Sequence, residues 1–397
     1  MSQQWTPLIV PQHNHQKYKI IFISILCAAV FTYYIYLTTY FNACNHKQLT
    51  INPKTYYILQ WTTGKRSPFY HMGTGPSKFI EMKCPHQNCY VTDNRSYLSD
   101  LKDFDAIVFN GNDVINMNQD QLPQERSPLQ KFVFGATESA PNKMACNPIM
   151  ENLFNWTWTY KLDSDVRWSY ILIYNSDGDE IGPKPNMEWP MEMEPIQDEE
   201  TTFILDGKSK AAAWFVTHCK TLGKREDFVN KVKPELSKLN LTLDVYGKCG
   251  DLDCPRSKSD ECYDMVKKDY YFYFSFENSF ATDYVTEKLL TALNNFAIPV
   301  VYGGADYSRF LPPGSYINAR ELDPELLAST MKDIIENRTR FYDYFRWRNH
   351  FRYKRGENDS EICNICTALN EGKAYNINLR DGFREWWNEE YNKRCKN

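Results

Sequence analysis

Apolar runs separated by short polar segments are the clearest pattern in the second half of the chain. Tyr271–Phe276 is almost entirely aromatic, which favours a buried β-strand, and Glu277-Asn278-Ser279 ends the run. Leucines spaced for one helix face follow at 289–293, and a second apolar run, Ile298–Tyr302, stops at two glycines. The pattern predicts a strand, a polar loop, a helix and a second strand.

The same alternation continues on both sides of this unit. We expect strands at Ala211–Thr217 and Leu241–Tyr246, and helices at Arg225–Leu236 and Glu325–Arg346. Strands that alternate with helices are typical of a doubly wound α/β sheet, so the second half is predicted to form such a domain.

Strand-like runs also occur in the first half, although helical periodicity between them is weak. They lie at Tyr56–Trp61, Asp105–Asn110, Phe132–Gly135 and Ile171–Tyr174. Four prolines between residues 183 and 195 predict a linker or a long surface loop. The chain is therefore predicted to contain two α/β domains, at residues 56–190 and 191–397.

An uncharged segment, Ile20–Phe41, lies near the N-terminus. A helix of this length, at about 1.5 Å per residue, matches the roughly 30 Å hydrocarbon core of a bilayer. Lys17 and Lys19 precede it, and tyrosines crowd its other end. A cleaved signal peptide is the alternative, but its apolar core is usually shorter. We expect a cytosolic tail at 1–19, a single transmembrane signal-anchor at 20–41, a short stem at 42–55 and a luminal remainder.

Other features agree with passage through the secretory pathway. Five N-x-S/T sequons are candidate N-glycosylation sites: Asn94, Asn155, Asn240, Asn337 and Asn358. Twelve cysteines suit an oxidising compartment. Cys363 and Cys366 form a CxxC motif, which we expect to form disulfides and not half of a zinc site, because no second CxxC follows. The sequence leaves the pairing open, and the odd number outside the membrane span predicts a free or intermolecular thiol. A net charge of −4 argues against a nucleic-acid partner.

Charged residues gather where the predicted strand 271–276 gives way to a helix. Ligands of such sheets bind beyond the carboxyl ends of the strands, and a helix N-terminus favours anions. Lys288 adds a positive charge there, and the neighbouring Glu287 could accept the two hydroxyls of a ribose. The pattern suits a nucleotide diphosphate, and an ordinary helix-capping pair is the alternative.

The segments FENS, DYVTEK and IPVVYGGADYSRFLPPGSYIN closely resemble the donor-binding signature of α1,3-fucosyltransferases. Weaker resemblance extends from about Tyr56 to about Cys395. The resemblance implies a GT-B architecture, in which two Rossmann-like domains face a cleft, and GDP-fucose as the donor substrate. No cofactor is then required.

The resemblance also implies which residues bind the donor. They are Arg225, Asn278, Tyr284, Glu287 and Lys288. Lys288 and Arg225 would hold the diphosphate and Glu287 the ribose, while Asn278 and Tyr284 would line the fucose and phosphate region. A solvated basic helix start is the alternative explanation for Arg225.

Glu138 is the candidate general base. It follows a predicted strand in the segment FGATESAP, which resembles the Glu-Ser-Pro segment that carries the proposed base of the family. Here Ala140 separates Ser139 from the proline. A base should titrate near the working pH, so we expect burial to raise the pKa of this carboxyl group. An ordinary loop carboxylate is the alternative.

Asp163-Ser-Asp165 suggests a different chemistry. Paired carboxylates at this spacing bind a divalent cation in another class of glycosyltransferases, but the spacing recurs at 177–179 and 251–253. The surrounding residues resemble a fucosyltransferase loop, so we expect these aspartates to organise that loop. No metal site is predicted, and a divalent metal is not expected to be essential.

Together these features predict a Golgi type II membrane enzyme with a luminal catalytic part. It would transfer L-fucose from GDP-β-L-fucose to a GlcNAc hydroxyl of N-glycans in α1,3 linkage, with inversion. The alternatives are a metal-dependent DxD glycosyltransferase and a non-catalytic membrane-bound glycan-binding protein. The donor-binding signature of this chain resembles that of enzymes that act on the innermost GlcNAc more than that of enzymes that act on antennal lactosamine. Expected partners are GDP-fucose, glycoprotein N-glycans and the Golgi membrane, and a homodimer stays open.

Overall fold

The computed structural model describes residues 28–38, 54–62, 64–356, 361–371 and 379–395. The chain forms two compact units, Met1–Lys54 and Thr55–Asn397. In the first unit residues 28–38 are helical (α1), and the rest of the predicted signal-anchor lies outside the described residues. Within the described part of the chain, no helix is both long enough and apolar enough to cross a membrane.

A parallel six-stranded sheet occupies the first part of the larger unit. Its strands are β1 Tyr56–Gln60, β2 Cys89–Thr92, β3 Ala106–Asn110, β4 Lys131–Ala136, β5 Trp156–Thr159 and β6 Val166–Arg167. Their order is β2-β1-β3-β4-β5-β6. Three strands, β1, β3 and β4, confirm the sequence prediction. All residues of β3 and β4 are buried, as expected for a parallel sheet that is covered on both faces.

A small antiparallel sheet contains two strands that follow the first parallel sheet in the sequence and one strand from near the end of the chain. It contains β7 Ile171–Asn175, β8 Glu180–Gly182 and, from much later in the chain, β14 Phe351–Arg355. The predicted strand at 171–174 therefore exists, but it pairs with β8 and β14 instead of extending the first parallel sheet. The proline-rich residues that follow β8 form a long loop, as predicted.

The second parallel sheet has five strands. They are β9 Lys210–Phe215, β10 Leu243–Tyr246, β11 Tyr270–Phe276, β12 Ile298–Tyr302 and β13 Ile317–Asn318, in the order β10-β9-β11-β12-β13. Four of these strands were predicted from their apolar runs. Aromatic side chains of β11 pack with the aliphatic residues of its neighbours in one buried core, which confirms a parallel α/β fold.

Helices surround the sheets. They are α2 Phe69–Met72, α3 Ser77–Glu81, α4 Gly111–Val114, α5 Glu199–Asp206, α6 Arg225–Lys238, α7 Ser259–Asp269, α8 Glu287–Asn294, α9 Pro324–Glu336, α10 Arg338–Asp343, α11 Glu361–Asn370, α12 Phe383–Trp387 and α13 Tyr391–Arg394. The single helix predicted at Glu325–Arg346 is wrong. It divides at Asn337, which leaves helical geometry and caps α10 by accepting a hydrogen bond from the Arg340 N–H.

Five disulfides link the described cysteines. Three join the C-terminal segment to the first part of the unit, Cys84–Cys363, Cys89–Cys366 and Cys146–Cys395, and two lie in the second half, Cys219–Cys249 and Cys254–Cys262. The CxxC cysteines are therefore disulfide-bonded, as predicted. Cys27 and Cys44 lie outside the described residues, so the unpaired thiol stays a prediction.

The C-terminal segment packs on the first sheet. Side chains of α11 join the core behind β1, and Phe383 and Trp387 of α12 contact Phe134 of β4. The predicted domain boundaries at 190/191 stay a prediction, but the last residues of the chain contribute to the core of its first half.

The candidate glycosylation sites differ in their surroundings. Asn94, Asn240 and Asn337 are exposed, whereas Asn155 is 6% exposed and its side-chain oxygen accepts hydrogen bonds from the Phe132 N–H and the Arg126 guanidinium. Asn155 is therefore enclosed by the folded chain, and glycosylation at all five sequons stays a prediction. Asn358 lies outside the described residues.

Candidate active site

The predicted strand–loop–helix unit forms the centre of the second sheet. β11 ends at Phe276, a loop follows, and α8 begins at Glu287 with Thr286 as its N-cap residue. The glycines after β12 allow that loop to pack closely, because a Cβ atom on Gly304 would lie 2.4 Å from the Ala281 nitrogen. The carboxyl ends of β11 and β12 and the start of α8 therefore meet at one edge of the sheet, as expected for a nucleotide site.

Lys288 lies in a compact hydrogen-bonded cluster at this edge. Its ammonium nitrogen lies 2.6 Å from the Thr286 hydroxyl oxygen, 3.2 Å from Glu277 Oε2 and 3.4 Å from Glu287 Oε1. Glu277 also accepts hydrogen bonds from the Thr286 N–H and hydroxyl. The cluster thus joins the strand end to the first turn of α8.

Burial and charge oppose each other in this cluster. Burial alone would lower the pKa of Lys288, but the Glu277 and Glu287 carboxylates outweigh it and raise that pKa. Glu277 is 1% exposed, and burial raises its pKa while the ammonium opposes the shift. For Glu287, burial raises the pKa, but Lys288 and local hydrogen bonds reverse the effect, and the net direction is downward. The lysine is therefore charged at neutral pH.

Arg225 is the first residue of α6 and is 3% exposed. Its guanidinium donates hydrogen bonds to the carbonyl oxygens of Phe276 and His218, at 2.5 and 3.4 Å. It therefore connects the end of β11 to the loop before α6. The structure places Arg225 beside the predicted site, with much of its hydrogen-bonding capacity used by the protein itself.

Asn278 lies in the loop between β11 and α8, next to the loop that precedes α6. Its backbone oxygen accepts a hydrogen bond from the Gly223 N–H at 3.0 Å. Its side-chain Oδ1 is buried and has no hydrogen-bond partner within the described residues. A buried oxygen without a partner is costly in a folded protein, so a ligand that donates a hydrogen bond to Asn278 would remove this cost.

Tyr284 and Glu138 meet although 146 residues separate them in the chain. The Tyr284 hydroxyl donates to Glu138 Oε1 at 3.1 Å, and the ring packs edge-to-face on Tyr160. Nearby, Ser279 hydrogen-bonds to Ser139. The carboxyl edge of the first sheet, which carries Glu138, thus contacts the loop between β11 and α8.

The pKa prediction for Glu138 is wrong in direction. Burial does raise the pKa, but Glu138 Oε1 accepts hydrogen bonds from the Asn142 amide at 3.0 Å, the Ser139 N–H at 2.8 Å and Tyr284. These donors favour the ionised form and together lower the pKa below its ordinary value of 4.5. The carboxylate is ready to accept a proton at neutral pH.

The two aspartates of the DxD sequence are held by other side chains. Arg380 lies 3.2 Å from Asp165 Oδ2 and 3.5 Å from Asp163 Oδ2, and the Trp386 indole donates to Asp163 at 2.7 Å. Asp165 also accepts hydrogen bonds from Thr157. Among the described residues no group of three or more His, Cys, Asp or Glu side chains could hold a metal ion. The arrangement fits loop organisation better than cation binding.

A separate cavity of about 620 Å³ lies beside the proline-rich loop. It is lined by 189–195, 313–315, Asp343, Arg346 and Trp347, and it contains none of the predicted site residues. We therefore define the candidate site by the residues that meet there, Glu138, Tyr284 and the Lys288 cluster, and not by the size of a cavity.

Two residues that contribute to the site were missed from the sequence. Glu277 was interpreted only as a polar residue that ends a strand, and Asn142 was not considered at all. Glu277 could have been identified from its position directly after an aromatic run, because a carboxylate at the end of a buried strand requires partners. No signal in the sequence indicated Asn142.

Comparison with known proteins agrees with this geometry. Residues 53–171 match the family model "Fucosyltransferase, N-terminal", and residues 205–382 match "Glycosyltransferase family 10 (fucosyltransferase) C-term". Alpha-(1,3)-fucosyltransferase C of Drosophila melanogaster is 36% identical over 77% of this chain and 71% of its own length. Alpha-(1,3)-fucosyltransferase fut-1 of Caenorhabditis elegans is 31% identical over 73% of this chain and 60% of its own length.

A solved structure of an α1,3-fucosyltransferase with GDP-fucose superposes with a TM-score of 0.49 at 14% identity, covering 84% of this chain and 95% of that one. The two family models together span most of the chain, and the Drosophila relative is covered over more than two thirds of its length. The chain is thus an enzyme of glycosyltransferase family 10 and belongs to the fucosyltransferases.

Proposed function

We propose that this chain transfers L-fucose from GDP-β-L-fucose to a GlcNAc hydroxyl of an N-glycan, in α1,3 linkage and with inversion. The contact between Tyr284 and Glu138 carries the proposal, because it brings a carboxylate of the first sheet against the loop that precedes Glu287 and Lys288. The names of the Drosophila and C. elegans relatives support the α1,3 activity.

Glu138 would act as the general base. The acceptor hydroxyl gives its proton to the carboxylate while its oxygen forms a bond to C1 of fucose, on the face opposite the diphosphate. The bond between C1 and the diphosphate oxygen breaks, and its electron pair leaves with GDP. A single displacement of this kind converts the β-linked donor to an α-linked product without a covalent enzyme intermediate.

The leaving diphosphate would bind at the start of α8. The Lys288 ammonium already contacts Thr286, Glu277 and Glu287, so it would exchange one of these contacts for a phosphate oxygen. Its 3.4 Å contact with Glu287 is the longest of the three, and the Glu287 side chain is 43% exposed. A ribose bound to Glu287 would release one ammonium N–H for the phosphate. The N-terminus of α8 and the charge of Arg225 would add to this stabilisation.

We further propose that the two parallel sheets form the halves of a GT-B enzyme, with the acceptor at the first and GDP-fucose at the second. Residues 20–41 would anchor the chain in the Golgi membrane with the catalytic part in the lumen. No divalent metal would be needed, because basic groups and α8 would stabilise the departing charge.

The test is a transfer assay with the purified full-length chain. GDP-fucose is incubated with a panel of N-glycans that end in GlcNAc, in lactosamine or in an exposed chitobiose core, and the products are analysed by mass spectrometry. The proposal expects the gain of one deoxyhexose on a GlcNAc-containing glycan only when GDP-fucose is present. Hydrolysis of the donor without transfer to any glycan would contradict it.

A further inference from the structure

The two carboxylate oxygens of Glu138 have different surroundings. Oε1 accepts three hydrogen bonds, from the Ser139 N–H, the Asn142 amide and the Tyr284 hydroxyl. None of these three donors contacts Oε2, and the Ser139 hydroxyl adds a weaker interaction with the carboxylate. An oxygen that already accepts three hydrogen bonds is a poor proton acceptor, so the proton of a substrate hydroxyl would go to Oε2.

Asn142 is directed at Oε1 by a rigid turn. It ends the short 3-10 helix Ala140–Asn142, in which Ala140 and Pro141 are buried. The Ala140 N–H donates to the Tyr160 hydroxyl at 2.9 Å, and the Asn142 N–H donates to the Ser139 carbonyl at 3.1 Å. The turn is therefore fixed at both ends, and the Asn142 amide reaches Glu138 from inside the same loop.

The three donors to Oε1 come from two loops of the unit. Ser139 and Asn142 belong to the loop of the first sheet, whereas Tyr284 belongs to the loop that precedes the predicted donor site. If Tyr284 contacts the sugar nucleotide, as we predict, Asn142 becomes the side chain that keeps hold of Oε1 during the reaction.

We propose that Asn142 is a positioning residue for the general base: its amide holds Oε1 of Glu138 and leaves Oε2 to take the proton of the acceptor. This inference rests on the proposed function of Glu138. It adds a residue that acts through the base without touching the substrate.

The titratable groups around Glu138 are Tyr160, Tyr170 and Tyr284, and three further carboxyl groups, those of Glu277, Asp283 and Glu389, interact electrostatically with Tyr160 or Tyr284. Tyr160 and Tyr284 pack on each other, and burial raises the pKa of both well above the ordinary value of 10.0. Tyr170 packs on Tyr284 and donates its hydroxyl to the Thr137 carbonyl. The two buried tyrosines stay neutral over the range in which a carboxylate titrates. Because Glu277 also carries a carboxyl group in the site, a shift of the acidic limb is assigned to Glu138 only where Glu138→Gln removes that limb.

The test compares the pH dependence of kcat/KM for fucosyl transfer in the wild type, Asn142→Ala and Asn142→Asp. Loss of one hydrogen bond to a charged carboxylate should raise the pKa of the acidic limb by roughly one to two pH units in Asn142→Ala. Asn142→Asp keeps the size of the side chain but adds a negative charge, so it should raise that pKa at least as far. KM for GDP-fucose should stay unchanged in both.

Asn147→Ala is the matched control, because Asn147 lies in the same connection between β4 and β5, and within the described residues its side chain hydrogen-bonds to the backbone of Met117 and Ile149. It should leave the acidic limb in place. Should Asn142→Ala fail to fold, Asn142→Asp alone decides the matter. An unmoved limb in the folded variants overturns the positioning role if Glu138→Gln is inactive. If Glu138→Gln retains transfer, the base assignment itself fails.

Discussion

Replacing Lys288 and Glu277 together separates the catalytic role of Lys288 from its structural role. In the wild type, the Lys288 ammonium lies 3.2 Å from Glu277 Oε2, and Glu277 is 1% exposed. Lys288→Met leaves that carboxylate buried without its counter-charge. Breaking a buried ion pair in this way costs about 3–5 kcal/mol, and the melting temperature of a chain of this size should fall by roughly 4–6 °C. Loss of activity in the single variant would therefore have two causes.

Adding Glu277→Gln to Lys288→Met removes the buried charge while an amide oxygen still accepts from Thr286. The double variant should regain most of the melting temperature. Fucosyl transfer should stay about 10²–10³-fold below wild type, because the diphosphate still lacks its ammonium. Lys332→Met is the control, since Lys332 forms a surface ion pair with Glu336 and should change neither property. Initial rates at saturating GDP-fucose and thermal denaturation are measured for each variant. Recovery of near-normal transfer in the double variant would refute the role of Lys288 at the diphosphate.

Two further predictions concern pH and metal. Burial raises the pKa of Glu361 to about 8, so between pH 4.5 and about 8 the folded state binds more protons than the unfolded state. Stability should therefore fall as pH rises through this window, and Glu361→Gln should remove that dependence in melting curves. A wild-type slope equal to that of the variant would contradict the assignment. In EDTA, transfer should keep its rate, and loss of activity that manganese restores would instead favour a DxD site at Asp163 and Asp165.

The apolar runs identified four of the five strands of the second sheet, because these strands are mainly apolar segments that end at polar residues or glycine. The shorter strands of the first sheet gave a weaker pattern in the sequence. β2 and β5 have only four residues each, and threonine interrupts their pattern. The predicted helix from Glu325 continued too far because its apolar spacing persists past Asn337, whose side chain caps the next helix instead of continuing the first.

The candidate site was predictable where its residues are adjacent in sequence and hidden where tertiary packing joins them. Glu287 and Lys288 are neighbours, and their position after a strand indicated an anion site directly. The contact of Glu138 with Tyr284 depends on two loops from different sheets. The low pKa of Glu138 depends on the same contact and on Asn142, so a prediction from burial alone had the wrong sign.

The central claim is that Glu138 is the base that acts on an acceptor at the edge of the first sheet. Glu138→Gln tests it most directly, because the amide preserves shape and removes the ability to take a proton. Fucosyl transfer and GDP affinity are measured on the same preparation of the full-length variant. If Glu138 is the base, transfer falls about 10²–10⁴-fold below wild type while GDP affinity stays unchanged. Transfer within a few-fold of wild type, with GDP still bound, would place the base elsewhere and contradict the account.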